Sequence, residues 1–213
     1  MGEVSSKQQA AIVSQAQWGV DHAAEIDYPP GDIRPGPMPL EQYKRHDLTP
    51  RLVVDCSEWA TCVYYAAGMP DPCGRGYDGL GNTDSMLGHL PAIPRSSAIT
   101  GDLVVFGRLG DSVHVVILGQ PGTVADPAVY SMGTNVCPCR ELLSGEIAGH
   151  PGHPPVYLRG VLPGPAPKRF VIYRDGRVIA HSNHWRVWVA THRPFRLVGG
   201  ASDLRIHDRR HDP

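Results

Sequence analysis

Val53-Val54-Asp55-Cys56-Ser57-Glu58-Trp59 is the stretch on which the fold turns. A short apolar run, residues 51 to 54, ends at an acid, and a cysteine follows where a helical pattern begins. That pattern runs to Ala67, where Gly68 supplies a natural C-terminal stop and Pro70 lies just beyond. The stretch therefore predicts a helix from Asp55 to Ala67 with Cys56 in its first turn. A thiol there meets unpaired backbone N–H groups and the positive end of the helix dipole. Both favour the thiolate, the nucleophilic form of cysteine. The same N–H groups can hold the oxyanion of a tetrahedral intermediate. Cys62, near Trp59 and Val63 on that helix, reads as core.

Upstream, residues 6 to 25 predict another helix. Ser6 and Gln9 have capping-box spacing, and Ile12, Val13, Ala16, Val20, Ala23 and Ala24 form an apolar stripe. A proline-rich loop from Pro29 to Pro39 separates the two helices. Downstream, residues 71 to 83 form a long glycine-rich loop around Cys73, near enough to border a cleft. It is not a phosphate loop, because no Lys-Ser/Thr pair follows and no strand precedes it. Asp84 to Leu90 reads as a short helix. Strands then follow at Leu103–Phe106, after a Gly101-Asp102 turn, at His114–Leu118, at Ala128–Tyr130 and at Val156–Val161. Helices first and a strand meander afterwards predict an α+β domain, with N-terminal helices packed on an antiparallel sheet.

That domain should occupy residues 1–162. Residues 163–167, Pro-Gly-Pro-Ala-Pro, read as a linker. Residues 168–213 read as a small ββα appendage: a hairpin turning at Arg174-Asp175-Gly176, then a short helix capped by Asn183 and carrying Trp185, Trp188, Val189 and His192. Its tryptophans suit a small aromatic core.

The bulk numbers limit the choices. A formal net charge of −1 gives no broad basic field for a nucleic-acid partner. No apolar run approaches the roughly 20 residues that span a bilayer. The polar N-terminus has no signal-peptide core, so synthesis in a cytoplasm is expected. Five cysteines, an odd number, do not read as a disulfide framework.

A thiolate nucleophile needs a base that takes its proton and later protonates the leaving amine. His114 suits this, opening a strand with a loop before it. Three ordered motifs now resemble those of the NlpC/P60 peptidoglycan peptidases, which have a papain-like fold. Asp55-Cys56-Ser57-Glu58-Trp59 is similar to their Asp-Cys-Ser-Gly-aromatic motif. Gly101-Asp102-Leu103-Val104-Val105-Phe106 and His114-Val115-Val116-Ile117-Leu118-Gly119 are similar to their two following strands. The resemblance covers residues 7 to 162. The glycine loop and the Asp126-Pro127 turn resemble the version in lysins and tail proteins of actinobacterial phages.

The resemblance implies a cysteine peptidase that needs no cofactor. Cys56 would attack (iso)peptide bonds of stem peptides, often next to diaminopimelate, with His114 as base. Tyr28 would match a family tyrosine near the oxyanion region, and Ser57 would lie beside it. The partner would be bacterial peptidoglycan. The protein would be made in the host cytoplasm and act on the wall, as an endolysin or as a virion tail component docked to tail proteins through residues 168–213. A non-catalytic structural or wall-binding protein keeping the fold is the alternative.

Two departures stand out. Glu58 replaces the usual glycine, which places a carboxylate near the thiol and predicts a raised thiol pKa or a narrowed cleft. The family's third polar residue, which orients the base from the next strand, falls at Met132. Asp126, Ser131 and Asn135 are the alternatives, and Asp126 is favoured by its spacing of twelve from His114. Separately, Cys137, Cys139, His150 and His153 offer four donors of zinc type, although their spacing is not the usual one and a plain loop is the simpler reading.

Overall fold

Buried side chains run without a break from Cys56 to Tyr64, and the helix that carries them is the centre of the fold. A helix buried all round must be packed on more than one side. The computed structural model describes residues 6–29, 38–133 and 138–160, together with the backbone of four strands between 170 and 208. The chain divides into two compact units, Met1–Leu162 and Pro163–Pro213.

In the first unit, α1 (Ser6–Asp21) buries Ile12, Ala16 and Gly19. A Cβ at Gly19 would lie 2.7 Å from the Tyr43 hydroxyl and 2.9 Å from Trp59 Nε1, so only glycine lets α1 approach this closely. The helix is four residues shorter than the pattern suggested, and a 3-10 turn, Ala23–Glu25, follows it. Strand β1 (Ile26–Asp27) then pairs in parallel with β2 (Leu52–Val53). Val54 N–H continues that ladder to Asp27 O at 3.0 Å, which fixes the chain just before the cysteine. Between them lies the short α2 (Leu40–Lys44).

Helix α3 (Cys56–Ala66) ends as the sequence indicates. Gly68 takes φ +70°, and the N–H groups of Gly68 and Met69 return to Tyr65 O and Tyr64 O. In the glycine-rich loop that follows, the Asp71 carboxylate accepts hydrogen bonds from the N–H groups of Cys73, Arg75 and Tyr77. Cys73 is buried there, with its sulfur 3.8 Å from both Thr61 Oγ1 and Asn82 O.

After α4 (Thr83–His89) comes the sheet: β3 (Ala92–Ile93), β4 (Leu103–Arg108), β5 (Asp111–Leu118), β6 (Ala128–Ser131), β7 (Cys139–Leu142) and β8 (Pro155–Leu158). Its order is β3-β8-β4-β5-β6-β7, and every pairing is antiparallel. The fold is thus α+β, as expected. Alternation splits the strand residues between two cores. Leu103, Val105, Val115, Ile117, Tyr130 and Met132 join Ile12, Trp59, Val63 and Tyr64 of the helices. Val104, Phe106, Val116, Leu118 and Val129 form the other core with Leu143. Leu143 opens α5 (Leu143–Gly149), a seven-residue helix the sequence reading missed. The sheet is therefore covered on both faces, not on one.

Three further corrections concern strands. β5 begins at Asp111, so His114 is its fourth residue and does not open it. β3 and β7 lie where no strand was expected. In the second unit, β9 (Phe170–Arg174) and β10 (Arg177–Ser182) form the anticipated hairpin, but β11 (Phe195–Val198) and β12 (Arg205–Asp208) form a second one. That unit is not simply ββα. The helix anticipated after Asn183 lies outside the described residues. Among the described residues, no helix is long and apolar enough to cross a membrane.

Candidate active site

The start of α3 is a closed capping box. The Asp55 carboxylate accepts the Glu58 N–H at 2.8 Å, and Glu58 Oε2 accepts the Asp55 N–H at 3.0 Å. The Ser57 hydroxyl donates to the same Asp55 carboxylate at 2.8 Å. Glu58 therefore does not narrow a cleft: it is buried, and its carboxylate closes the cap. Ser57 likewise has only its backbone N–H to offer an oxyanion, alongside that of Cys56.

The Cys56 side chain, 5% exposed, lies close enough to His114 to act on the charge of its ring. Burial alone would depress the His114 pKa. Hydrogen bonds to Cys56 and Glu146, together with the charges of both, overcome it and raise the value to about 10. The surroundings thus favour an imidazolium on this ring. His114 Nε2 stands 3.1 Å from Ser131 Oγ and 3.4 Å from Glu146 Oε2. With Nε2 so engaged, Nδ1 is the nitrogen available to the thiol.

Glu146 projects from α5 and is as buried as His114. Burial would raise its pKa, but hydrogen bonds from His114, Glu141 and Ser131 hold it down, to about 2. Glu141 shows the converse. Burial, then the hydrogen bond and charge of Glu146, raise it to about 7. Each carboxyl acts on the other, Glu141 moving up and Glu146 down, so the more acidic of the two faces His114. His150, one turn after Glu146, stacks on His114 with ring centroids 4.6 Å apart and planes 8° from parallel. Phe106 stacks on His150 in turn, at 4.9 Å.

A cavity of about 610 Å³ opens on this group. Tyr28, Val113, His114, Ser131, Glu141 and Glu146 line it, with His150. Cys56 is not among its lining residues.

Of the residues singled out in the sequence, Cys56 and His114 act on each other, and Tyr28 borders the cavity that His114 lines. Asp126 is not with them. Its carboxylate accepts hydrogen bonds from Ser144 N–H at 2.9 Å and Ser144 Oγ at 2.6 Å, and those bonds lower its pKa. Asp126 thus anchors the first turn of α5, the helix that carries Glu146. Of its alternatives, Ser131 reaches the base, Met132 points into the helical core, and Asn135 lies outside the described residues. Cys73 does not border the cavity either. Nor do the three described zinc-type donors converge. Cys139 approaches Glu141 at 3.7 Å, His153 faces Asp111 at 3.9 Å, His150 stacks on His114, and Cys137 lies outside the described residues. A different set does converge: donor atoms of His114, Glu146 and His150 lie within 4.8 Å of one another.

Glu146 and Glu141 were missed, and His150 was singled out only as a zinc-type donor with other partners. The one signal in the sequence is Glu146 and His150 at helical spacing, in a segment whose glycines at 145 and 149 argue against a helix.

No protein-family model matches the sequence, and no curated protein matches it. Among solved structures, the chain is similar to a Staphylococcus aureus subsp. aureus Mu50 protein described as similar to a lipoprotein of the NLP/P60 family. Identity is 18%, over 76% of this chain and 44% of that one, with a TM-score of 0.45. This chain thus spans less than half the length of that protein. The likeness is too low to assign function, and the fold rests on the elements and pairings themselves.

Proposed function

We propose that this chain is a cysteine peptidase in which Cys56 is the nucleophile, His114 the general base and acid, and Glu146 the anion that orients His114. The observation that carries this reading is the thiol at a helix N-terminus, coupled to a buried imidazole that lies 3.4 Å from a buried carboxylate. In the reaction, His114 holds the proton of Cys56, and the thiolate attacks the carbonyl carbon. The first-turn N–H groups of α3 hold the resulting oxyanion. His114 then gives the proton to the departing amine, and water, activated by the same ring, releases the acyl group from sulfur. Glu146 and Ser131 fix the ring's orientation and stabilise its charge, as the third member of such a triad does.

The substrate rests on the motif resemblance. Stem peptides of peptidoglycan are the class it supports, with a phage lysin or a tail-associated wall hydrolase as the setting and the second unit as a docking module. Purified wall incubated with the protein and with its Cys56→Ala variant tests this. We expect release of amino groups to fall by about a thousandfold or more in the variant. Equal digestion by both sinks the reading.

One observation favours the alternative, a wall-binding or structural protein that keeps the fold. Cys56 is 5% exposed and does not line the cavity. Wall that binds both forms equally and is cut by neither supports that second reading.

A further inference from the structure

We propose that His114, Glu146 and His150 form a binding site for a zinc-type divalent cation, whose occupancy switches off the Cys56 thiol. The binding stands by itself, and the switching rests on the peptidase reading above. Zinc bound by imidazole and carboxylate has ligand bonds of about 2.0–2.2 Å, which makes the edge of its tetrahedron about 3.3–3.5 Å. One such edge already exists here, and the stacked His150 ring stands at the same distance from the carboxylate. Glu146 Oε2 lies 3.4 Å from His114 Nε2 and 3.4 Å from His150 Nδ1. The donor set, two imidazoles and one carboxylate, is of borderline character and suits zinc or cobalt over magnesium or calcium. A fourth position opens on the cavity, which all three residues border.

The edge between the two rings is the one that must close. The two rings stack in nearly parallel planes, and one ion cannot lie in the plane of both. His150 is the ring free to turn: its side chain is 25% exposed, against 7% for His114. Turning it gives up the stack on His114 and the 2.9 Å bond from Nδ1 to Glu146 O. Stacking and coordination are therefore exclusive states of one side chain. Supporting groups adjoin the donors, since Ser131 Oγ lies 3.1 Å from His114 Nε2 and Glu141 lines the same cavity as Glu146. A cation on His114 Nε2 would withdraw electron density from the ring. It would also take Glu146 from its orienting role, so the ring could no longer accept the thiol proton.

Cobalt titration of tag-free Cys56→Ala protein, followed by visible absorption, tests the binding without reference to activity. A tetrahedral cobalt band saturating at one equivalent is expected. In the same background, His150→Phe keeps a ring for the stack but has no donor, and Glu146→Gln keeps the shape. Each should weaken binding by about tenfold or more, with circular dichroism unchanged. No cobalt band, or equal affinity in His150→Phe, overturns the site, the latter showing adventitious binding by surface histidines. In the active enzyme, zinc should inhibit wall digestion reversibly, and His150→Phe should need about tenfold more zinc. Equal zinc sensitivity of the two overturns the switch. A protein with no peptidase activity at all overturns the switch and the peptidase reading, while the cobalt result still decides the site.

Discussion

The two sides of His114 are built differently. On one side, Cys56 rides an eleven-residue helix with a doubly bonded cap, buried between α1 and the sheet. On the other, Glu146 rides a seven-residue helix with two glycines, Gly145 and Gly149, docked by Leu143 and by the Asp126 carboxylate of a neighbouring loop. The nucleophile is held by the core. The anion is held by a short attachment at its edge. A constellation of this kind is only as exact as its weaker mount, and here that mount is α5.

That contrast can be broken at several points. The largest effect is expected at the anion. Glu146→Gln should leave the fold intact and lower kcat by about a hundredfold to ten-thousandfold, because the ring loses both its orientation and its countercharge. Activity within a few-fold of wild type, measured on wall fragments, would remove Glu146 from the mechanism. Next is the nucleophile's mount. Asp55→Ala removes the acceptor of both Glu58 N–H and Ser57 Oγ, and should cost about 1–2 kcal/mol in urea unfolding. Gly19→Val is of similar size: its Cβ would collide with Tyr43 and Trp59, a cost of about 1–3 kcal/mol.

The mount of the anion should give less. Asp126→Asn leaves Cys56 and His114 untouched and loosens α5, so kcat should fall by about tenfold or less. A fall as large as that of Glu146→Gln would mean that Asp126 orients the base after all. The smallest effect is its pH signature. Ser144 holds the Asp126 carboxyl below its usual range, so this contact favours folding above the ordinary carboxylate pKa of about 4. The stabilisation fades as pH falls through the lowered value. Unfolding midpoints of wild type and Asp126→Asn should differ at pH 7 and converge in acid.

The same contrast explains what could be read in advance. The α3 helix was legible because its apolar pattern, its acid cap and its glycine stop agree with one another. His114 was legible as a polar residue beginning an apolar run, although its strand starts three residues earlier, at Asp111. The third group was not legible. Spacing favoured Asp126, but spacing along a chain does not say which way a loop side chain turns. The choice between Ser131 and Met132 depended on strand register, where one residue exchanges the two faces. Glu146 was hidden more deeply, in a segment whose glycines oppose the helix it forms and whose helicity comes from Leu143 packing on the sheet. Glu58 misled for the opposite reason: a charge beside a nucleophile suggests chemistry, yet here it completes a cap.

The far edge of the first unit has a mechanical consequence. Chain leaves that unit through β8, an interior strand bonded to β3 on one side and β4 on the other. Beyond it, Arg159 N–H is tied to Pro91 O and Gly160 N–H to the fully buried Asp102. Asp102 also holds Ile99 N–H and lies 3.4 Å from the Arg159 guanidinium. Tension applied through residues 163–213 would load this knot before it reached the sheet. Cys56 and His114 lie on other elements, so a protein pulled by its tail would keep its candidate site in register until the knot gave way.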